Sequence, residues 1–574
     1  MTIGNWIINA GQRDSVAVEY KVGSHWQQLS WTDYLEKVTS AYQALLQLGV
    51  QPRQHVGLLS STRWEWSAID LALLGSNSVV IPLYPNLSDE ELTFIVNHSD
   101  ISILIAETEA HQKQFERIQQ NLERPVECVP LQNIDFQTPA SEETKQKFWD
   151  LCRNLKSSDV ATIVYTSGTT GRPKGAVLLH EAIVSEVSES FDLFGVKPTD
   201  KALTFLPYAH VLGRIEHWGS CYKGHALAYA ESIERIKSNL KEVKPDFLIA
   251  VPRIFEKVYS GIMAQVETQK AKQKIFQMAI ETAKEVQKYR RTKQTIPWLL
   301  LLKYQGLHQL AFTPVLDAFG GRLKFVVSGG APLDSELSEF FWNCGIPLLE
   351  GYGLTETSAA ITVNTLNNHQ VGTVGKPIGD VKIKFAEDGE ILVKSKKCLK
   401  EYYKNPEETA KAIQDGYFAT GDVGELTSQG YLKITDRKKD LIKTSGGKYV
   451  APQKLEGLLK QDPLVSQVLI HGDQRKFISA LITLEEAQVK QWATGQGIQY
   501  ETLADLYHHP ILRARLQKHI QNINSKLASY ESIKKFEVIL DTWTVEGGEL
   551  TPSLKAKRKF LETKYADLIS EIYD

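Results

Sequence analysis

The chain has 574 residues, a formal net charge of -2, 42% hydrophobic and 23% charged residues, the composition of a soluble globular protein of several compact units. The balanced charge gives no global reason to expect a nucleic-acid partner, and five scattered cysteines without a CxxC spacing argue against a disulfide framework or zinc ribbon and fit a reducing cytosol. The first residues carry no signal-peptide pattern, and the most apolar run, IPWLLLL from Ile296, is far below the roughly 20 residues that span a bilayer, so a cytoplasmic protein is expected.

In chain order, TDYLEKVTSAYQALLQLG reads as an amphipathic helix with Thr32 as N-cap and Gly49 at its close. Short apolar runs follow: HVGLLS from His55, SVVIPLY from Ser78, ISILIA from Ile101, ATIVYT from Ala161 and FLIAV from Phe247. KFVVSGGAP from Lys324 adds another and ends in a glycine turn. Runs of this kind read as buried strands. Their alternation with helical patterns predicts an α/β fold of layered, largely parallel sheets, with ligands gathering at the carboxyl ends of strands.

Between Glu256 and about Tyr304 the pattern is helical without strand signals. It becomes basic at Lys284, Lys288, Arg290, Arg291 and Lys293, next to the Trp-Leu run. This segment reads either as membrane-surface contact or as a solvated helix followed by a core element. Near residue 438 the character changes. A strand, a glycine loop, a helix opened by Pro452, the strand pair SQVLIHG and FISALITLE, the strand KKFEVIL and a closing amphipathic helix KRKFLETKYADLISEIY predict a small α+β domain. The expected division is residues 1–437 and 438–574.

Five clusters could carry chemistry. YTSGTTGRPKG, from Tyr165, follows a strand, but Gly175 stands where the familiar phosphate loop needs Ser or Thr after its lysine. Its glycines free backbone N–H groups for an anion, and Lys174 adds a point charge. Pro173 keeps it from winding into a helix. The other reading is an ordinary turn. In EGYGLTET, from Glu350, the flanking glycines read as a turn that leaves Tyr352 free to stack on a flat ring. Glu356 there could hold magnesium or be a helix N-terminal acid. Asp422, in the Thr-Gly-Asp turn of DGYFATGDVGEL, could accept a ribose diol or be turn chemistry alone. Arg437, in ITDRKKD, could reinforce ribose or phosphate contacts or belong to a solvated charge run. Lys555 follows the turn-rich GGELTPSL, and Lys557, Arg558 and Lys559 after it could be surface charge.

Together with LPYAHVLGRIE, VSGGAP and ITDRKKDLIK, and in this order over nearly the whole chain, these clusters resemble the adenylate-forming superfamily. VPRIFEKVY, the helical insert after it and FTPVLDAFGGRLKFVVSGGAPL resemble its long-chain fatty acyl-CoA synthetases. The resemblance implies a large N-terminal domain and a smaller mobile C-terminal one. It implies a ligase that joins a fatty acid to ATP as acyl-AMP, with Mg2+, and then transfers the acyl group to coenzyme A. An acyl carrier protein as acceptor is the alternative, and a catalytically silent nucleotide-binding protein at a membrane surface is a second. Peripheral membrane contact and a homodimer are further expectations. By position, Thr166, Ser167, Gly168, Thr169, Thr170, Gly171 and Lys174 would cradle the β- and γ-phosphates. Gly330 and Ala331 would line the pocket in which Tyr352 stacks on adenine. Thr355 would meet the α-phosphate, Glu356 the magnesium, and Asp422 and Arg437 the ribose. His210 would sit near the acyl carboxylate, or be a packed or capping residue. Lys555 would bridge carboxylate and α-phosphate, and Lys439 would be the hinge. Three places depart from the family pattern: Glu401 stands for a glycine, Lys396 and Lys397 for a Gly- or Pro-rich turn, and Ala419 for a histidine. They put loop geometry near the domain junction in question.

Overall fold

The computed structural model describes residues 1–166, 172–267, 270–291, 294–552 and 554–574. The first apolar runs become the strands His55–Leu59, Val79–Leu83, Ile103–Ala106 and Val160–Thr166, buried along nearly all their length. Among the described residues they sit in a seven-stranded sheet with the order Glu401–Tyr402, Lys174–Leu179, Val160–Thr166, Val79–Leu83, His55–Leu59, Ile103–Ala106, Glu127–Pro130. From Val160–Thr166 onward the neighbours are parallel. Lys174–Leu179 returns antiparallel, with Lys174 opposite Thr166.

A second sheet, nine-stranded among the described residues, carries Phe247–Ala250, Phe325–Ser328 and Leu348–Leu354 as parallel neighbours. Ser328 is followed by Gly329 and Gly330, and Gly330 takes φ +80, a turn that glycine adopts without steric cost. The run EGYG is not a turn. It lies inside the strand Leu348–Leu354, which pairs antiparallel with Ala359–Val363. The close approach explains the glycines: a Cβ on Gly353 would come within 1.5 Å of the Ala359 carbonyl oxygen.

An antiparallel sheet, five-stranded among the described residues, holds Tyr417–Leu426 beside Leu432–Arg437 and puts Asp422 directly opposite Arg437. Asp422 therefore sits in a strand, next to Gly421 at φ +73, rather than in an isolated turn.

Two capping details also differ from the sequence reading. The helix Trp31–Gln47 starts two residues earlier than expected and is capped by Ser30, whose hydroxyl accepts from Asp33 N at 3.1 Å. The closing helical pattern breaks at Tyr565 into Arg558–Lys564 and Ala566–Tyr573. The insert between Glu256 and Tyr304 is built of the helices Pro252–Glu267 and Lys270–Arg291, leading into Trp298–Ala311.

From Ile442 on, the chain has cores of its own. One gathers Ile442, Leu455, Val468, Ile482, Leu516 and Phe536, and another Leu469, Trp543, Leu561 and Ile572. Pro452 opens the helix Pro452–Leu459 at its first position, where its missing N–H costs nothing. This part rests on the rest of the molecule through polar contacts: Lys557 Nζ to Glu91 Oε1 at 3.1 Å, Asn86 Nδ2 to the Pro552 carbonyl at 3.2 Å, and Lys526 Nζ to Glu336 Oε1 at 2.5 Å.

Candidate active site

Tyr352, Asp422 and Arg437 form one hydrogen-bonded set. The Tyr352 hydroxyl donates to Asp422 Oδ2 at 2.7 Å, and Arg437 Nε donates to Asp422 Oδ1 at 3.1 Å. Asp422 is buried, and burial pushes its carboxyl up while Arg437 pulls it back. Gly330 and Ala331 lie exposed just past the end of the strand Phe325–Ser328, and desolvation pushes the carboxyl of nearby, half-buried Glu350 up to about 8.

The strand pairing also orders the side of the site that carries Thr355, Glu356 and Lys174. Thr355 and Glu356 occupy the short turn Thr355–Thr357 between two strands. The Tyr402 hydroxyl donates to Glu356 Oε1 at 2.9 Å. Tyr402 is placed opposite Ala176 by the antiparallel pairing of Glu401–Tyr402 with Lys174–Leu179. Its ring lies 5.4 Å from the Lys174 ammonium. Lys174 in turn pairs with Glu408. Sequence reasoning missed Tyr402 and Glu408, although both lie in the EYYKN segment and just after it. Residues 167–171, five of the expected cradle, lie outside the described residues; Thr166 and Lys174 flank them in register.

His210 is the N-cap of the helix Val211–Lys223, with Nδ1 accepting from Leu212 N at 3.1 Å. The capping alternative is therefore realised. Burial, and then the charge of Lys555, push the ring down to about 4. A neutral imidazole whose Nδ1 accepts must carry its proton on Nε2, so His210 keeps one N–H to donate. The helix behind it is anchored in the core. Buried Asp70 meets Arg214, His217 Nε2 at 2.8 Å and Trp218 Nε1 at 3.0 Å, while Arg214 Nη1 donates to Thr162 Oγ1 at 2.7 Å. Removing one partner of such a pair leaves an uncompensated buried charge, so the set pins this helix to the first sheet.

Lys555 enters from the small domain on a tight turn. Its N–H donates to Thr551 Oγ1 at 3.0 Å, and its carbonyl accepts from Thr551 N at 2.8 Å. Leu554 before it takes φ +61, a left-handed conformation that costs a non-glycine residue energy. The Lys555 side chain reaches solvent, but inside the cleft, where atoms of both domains crowd it. That desolvation, and then the Arg437 guanidinium, push its ammonium down to about 8, while Asp422 and Asp440 act the other way. His210, Arg437, Asp422 and Lys555 thus share one field although they come from distant parts of the chain. Lys439 stands exposed in the turn after Leu432–Arg437, where Lys438 N donates to the Gly421 carbonyl at 2.9 Å.

Among the described residues there is no cluster of three or more His, Cys, Asp or Glu able to cage a metal ion. A single oriented carboxylate, Glu356, with a lysine across the Tyr402 ring is a donor set that fits magnesium, which keeps its waters and takes its other ligands from phosphates.

The AMP-binding enzyme model matches residues 8–403, and the AMP-binding enzyme C-terminal domain model matches residues 439–574. A Mycobacterium bovis protein named long-chain-fatty-acid--CoA ligase FadD15 is 33% identical over 98% of this chain and 95% of its own length. A peroxisomal long chain acyl-CoA synthetase of Arabidopsis thaliana is 29% identical over 95% of this chain and 82% of its own. The fold is similar to that of the adenylation domain of a Mycobacterium chelonae carboxylate reductase, with TM-score 0.75, 20% identity and coverage of 100% and 91% of the two chains. It is also similar to Bacillus subtilis o-succinylbenzoate CoA synthetase solved with ATP and magnesium, with TM-score 0.70, 20% identity and coverage of 97% and 99%.

Proposed function

The chain belongs to the adenylate-forming AMP-binding enzymes, in their long-chain fatty acyl-CoA synthetase branch, and from that premise we propose that it activates long-chain fatty acids with ATP and transfers them to coenzyme A. In the first step a carboxylate oxygen of the fatty acid attacks the α-phosphorus. The bond to the bridging oxygen breaks and pyrophosphate leaves. In the second step the coenzyme A thiol, having lost its proton, attacks the acyl carbonyl and AMP departs. Neither step needs a nucleophile from the protein, so its work is positioning and charge stabilisation.

The observation that carries this reading is the delivery of Lys555 into the cleft of Asp422, Arg437 and His210. A cation there meets the negative charge that gathers between carboxylate and α-phosphate. His210 Nε2–H donates to the incoming carboxylate. Tyr352 stacks on adenine between Gly330 and Ala331, and Asp422 with Arg437 receives the ribose hydroxyls. Thr355 faces the α-phosphate. Lys174, released from Glu408, meets the outer phosphates with Thr166 and residues 167–171. Glu356, oriented by Tyr402, would hold the magnesium ion, which supplies charge neutralisation on the phosphates. The small domain, residues 438–574, turns about Lys439 between the two steps, a hinge-type motion.

The protein acts in the cytoplasm, where its five free cysteines suit a reducing medium. No helix among the described residues is long and apolar enough to cross a membrane. Trp298 and Leu310 on the helix Trp298–Ala311 are 68% and 72% exposed, which supports contact of this helix with the lipid surface that holds the substrate.

The test is direct. Purified protein given ATP, magnesium and a long-chain fatty acid should release pyrophosphate, and with coenzyme A it should form the thioester. A thioester formed only on acyl carrier protein would transfer the reading to that acceptor. No fatty-acid-dependent pyrophosphate release would leave a silent nucleotide-binding protein.

A further inference from the structure

The segment SKKCLKE, from Ser395, lacks the expected Gly- or Pro-rich turn, and a buried cation takes its place. Lys397 and Glu186 are both fully buried. Lys397 Nζ lies 3.0 Å from Glu186 Oε2 and 3.0 Å from Glu189 Oε2. These are ionic contacts at close range rather than aligned hydrogen bonds. Glu186 and Glu189 stand three residues apart on the helix His180–Phe194 and so share one face.

The same groups reach the turn that carries Thr355 and Glu356 from two sides. Glu186 Oε1 accepts from Ala360 N at 3.0 Å. The Lys397 carbonyl accepts from Ser358 Oγ at 2.8 Å, and Leu399 N donates to the Glu356 carbonyl at 2.6 Å. Directly after that turn Ser358 takes φ +58, and Ala359, the first residue of the next strand, φ +127. Residues other than glycine hold such angles only where their surroundings over-determine them. Burying a lysine between carboxylates is a costly way to gain stability alone, because desolvation opposes the attraction.

We propose that Lys397, clamped by Glu186 and Glu189, is a positioning residue that fixes the turn presenting Thr355 and Glu356 to the magnesium nucleotide. This rests on the roles given to Thr355 and Glu356 above. Lys397 acts through the Ser358 hydroxyl, through Leu399 N on the Glu356 carbonyl, and through Glu186 on the Ala360 N–H.

Lys397→Met strands the buried Glu186 carboxylate beside the partly exposed Glu189 and endangers the fold. It is therefore paired with the triple variant Lys397→Met, Glu186→Gln, Glu189→Gln, which buries no charge and keeps an amide oxygen for Ala360 N–H. The triple variant should melt near the unsubstituted protein. Its half-saturating magnesium and its KM for ATP in acyl-adenylate formation should rise about tenfold, as when a supporting partner of a metal ligand is lost. Its KM for fatty acid should stay unchanged. Kinetics equal to the unsubstituted protein would overturn the proposal. So would a lowered melting temperature with ATP and fatty-acid KM rising together, the mark of a global defect. Glu356→Gln, assayed in parallel, separates the two levels. If it leaves the magnesium dependence unaltered, the reading of Glu356 fails and the proposal falls with it. If it raises that dependence while the triple variant does not, only the Lys397 proposal fails.

Discussion

Tyr352 and Asp422, 70 residues apart in sequence, are joined by a 2.7 Å hydrogen bond from phenol to carboxylate. The bond holds the ring that would stack on adenine and the carboxylate that would receive the ribose in one rigid piece. Tyr352→Phe keeps the stack and removes the donor, so the ATP KM should rise only a few-fold. Tyr352→Ala removes base stacking as well, worth about 1–3 kcal/mol, and should raise the ATP KM much further. Equal effects of the two substitutions, measured as ATP dependence of pyrophosphate release, would contradict the stacking role.

Lys555 has a pH signature. Its folded-state value is lowered from the ordinary lysine range to about 8, so its charge is present below that pH and lost above it. The kcat/KM for ATP in acyl-adenylate formation should therefore fall as pH rises through about 8. Lys555→Ala should slow adenylation by about 10²–10³, the effect of losing one preorganised donor, and should abolish this limb of the profile. A limb that survives in the variant belongs to another group.

The domain contact predicts a step-specific effect. Lys557 to Glu91 is a partly exposed ion pair, worth at most about 1 kcal/mol. Glu91→Gln should lower the adenylation rate by a few-fold without slowing thioester formation from pre-formed acyl-AMP. A matching loss in both half-reactions would mean that the pair does not select the pose that delivers Lys555.

Lys439→Pro stiffens the turn after Arg437, since proline fixes φ. Thioester formation should suffer more than adenylation in single-turnover measurements of each. Equal losses would remove Lys439 as the hinge.

Glu216 is fully buried, donated to by Thr204 Oγ1 at 2.7 Å, and pushed up to about 8 by burial. A carboxyl raised in the fold binds a proton there that the unfolded chain has already released. Stability should thus decline as pH rises from the ordinary glutamate range toward about 8 and stay lower beyond it. Glu216→Gln should raise the melting temperature more above that pH than in acid. A pH-independent difference would show that Glu216 stays neutral throughout.

Much was legible in the sequence because it is local. Apolar run length identified the strands at His55, Ser78, Ile101, Ala161, Phe247 and Lys324, since a buried strand needs continuous apolar side chains whatever its neighbours are. The order of the motifs carried the family, and the late Lys555 carried the expectation of a mobile small domain. Four local readings needed correction, the closing helix among them, which breaks at Tyr565. The EGYG and TGD segments read as turns because glycine punctuates turns, yet here the glycines admit a neighbouring strand or a left-handed step within a strand. Thr32 lost the cap to Ser30 because the helix begins two residues earlier, with Asp33 returning the bond.

The residue types and their order determined which chemistry this chain can support. Tertiary structure alone decided the partnerships. The pairing of Glu401–Tyr402 with Lys174–Leu179 puts Tyr402 between Lys174 and Glu356. The helix His180–Phe194 supplies the carboxylates for Lys397. The closure of two domains lowers the pKa of Lys555 through desolvation in a shared cleft. Charge, hydrogen-bond geometry and burial act across space rather than along the chain, so no window of sequence could contain them.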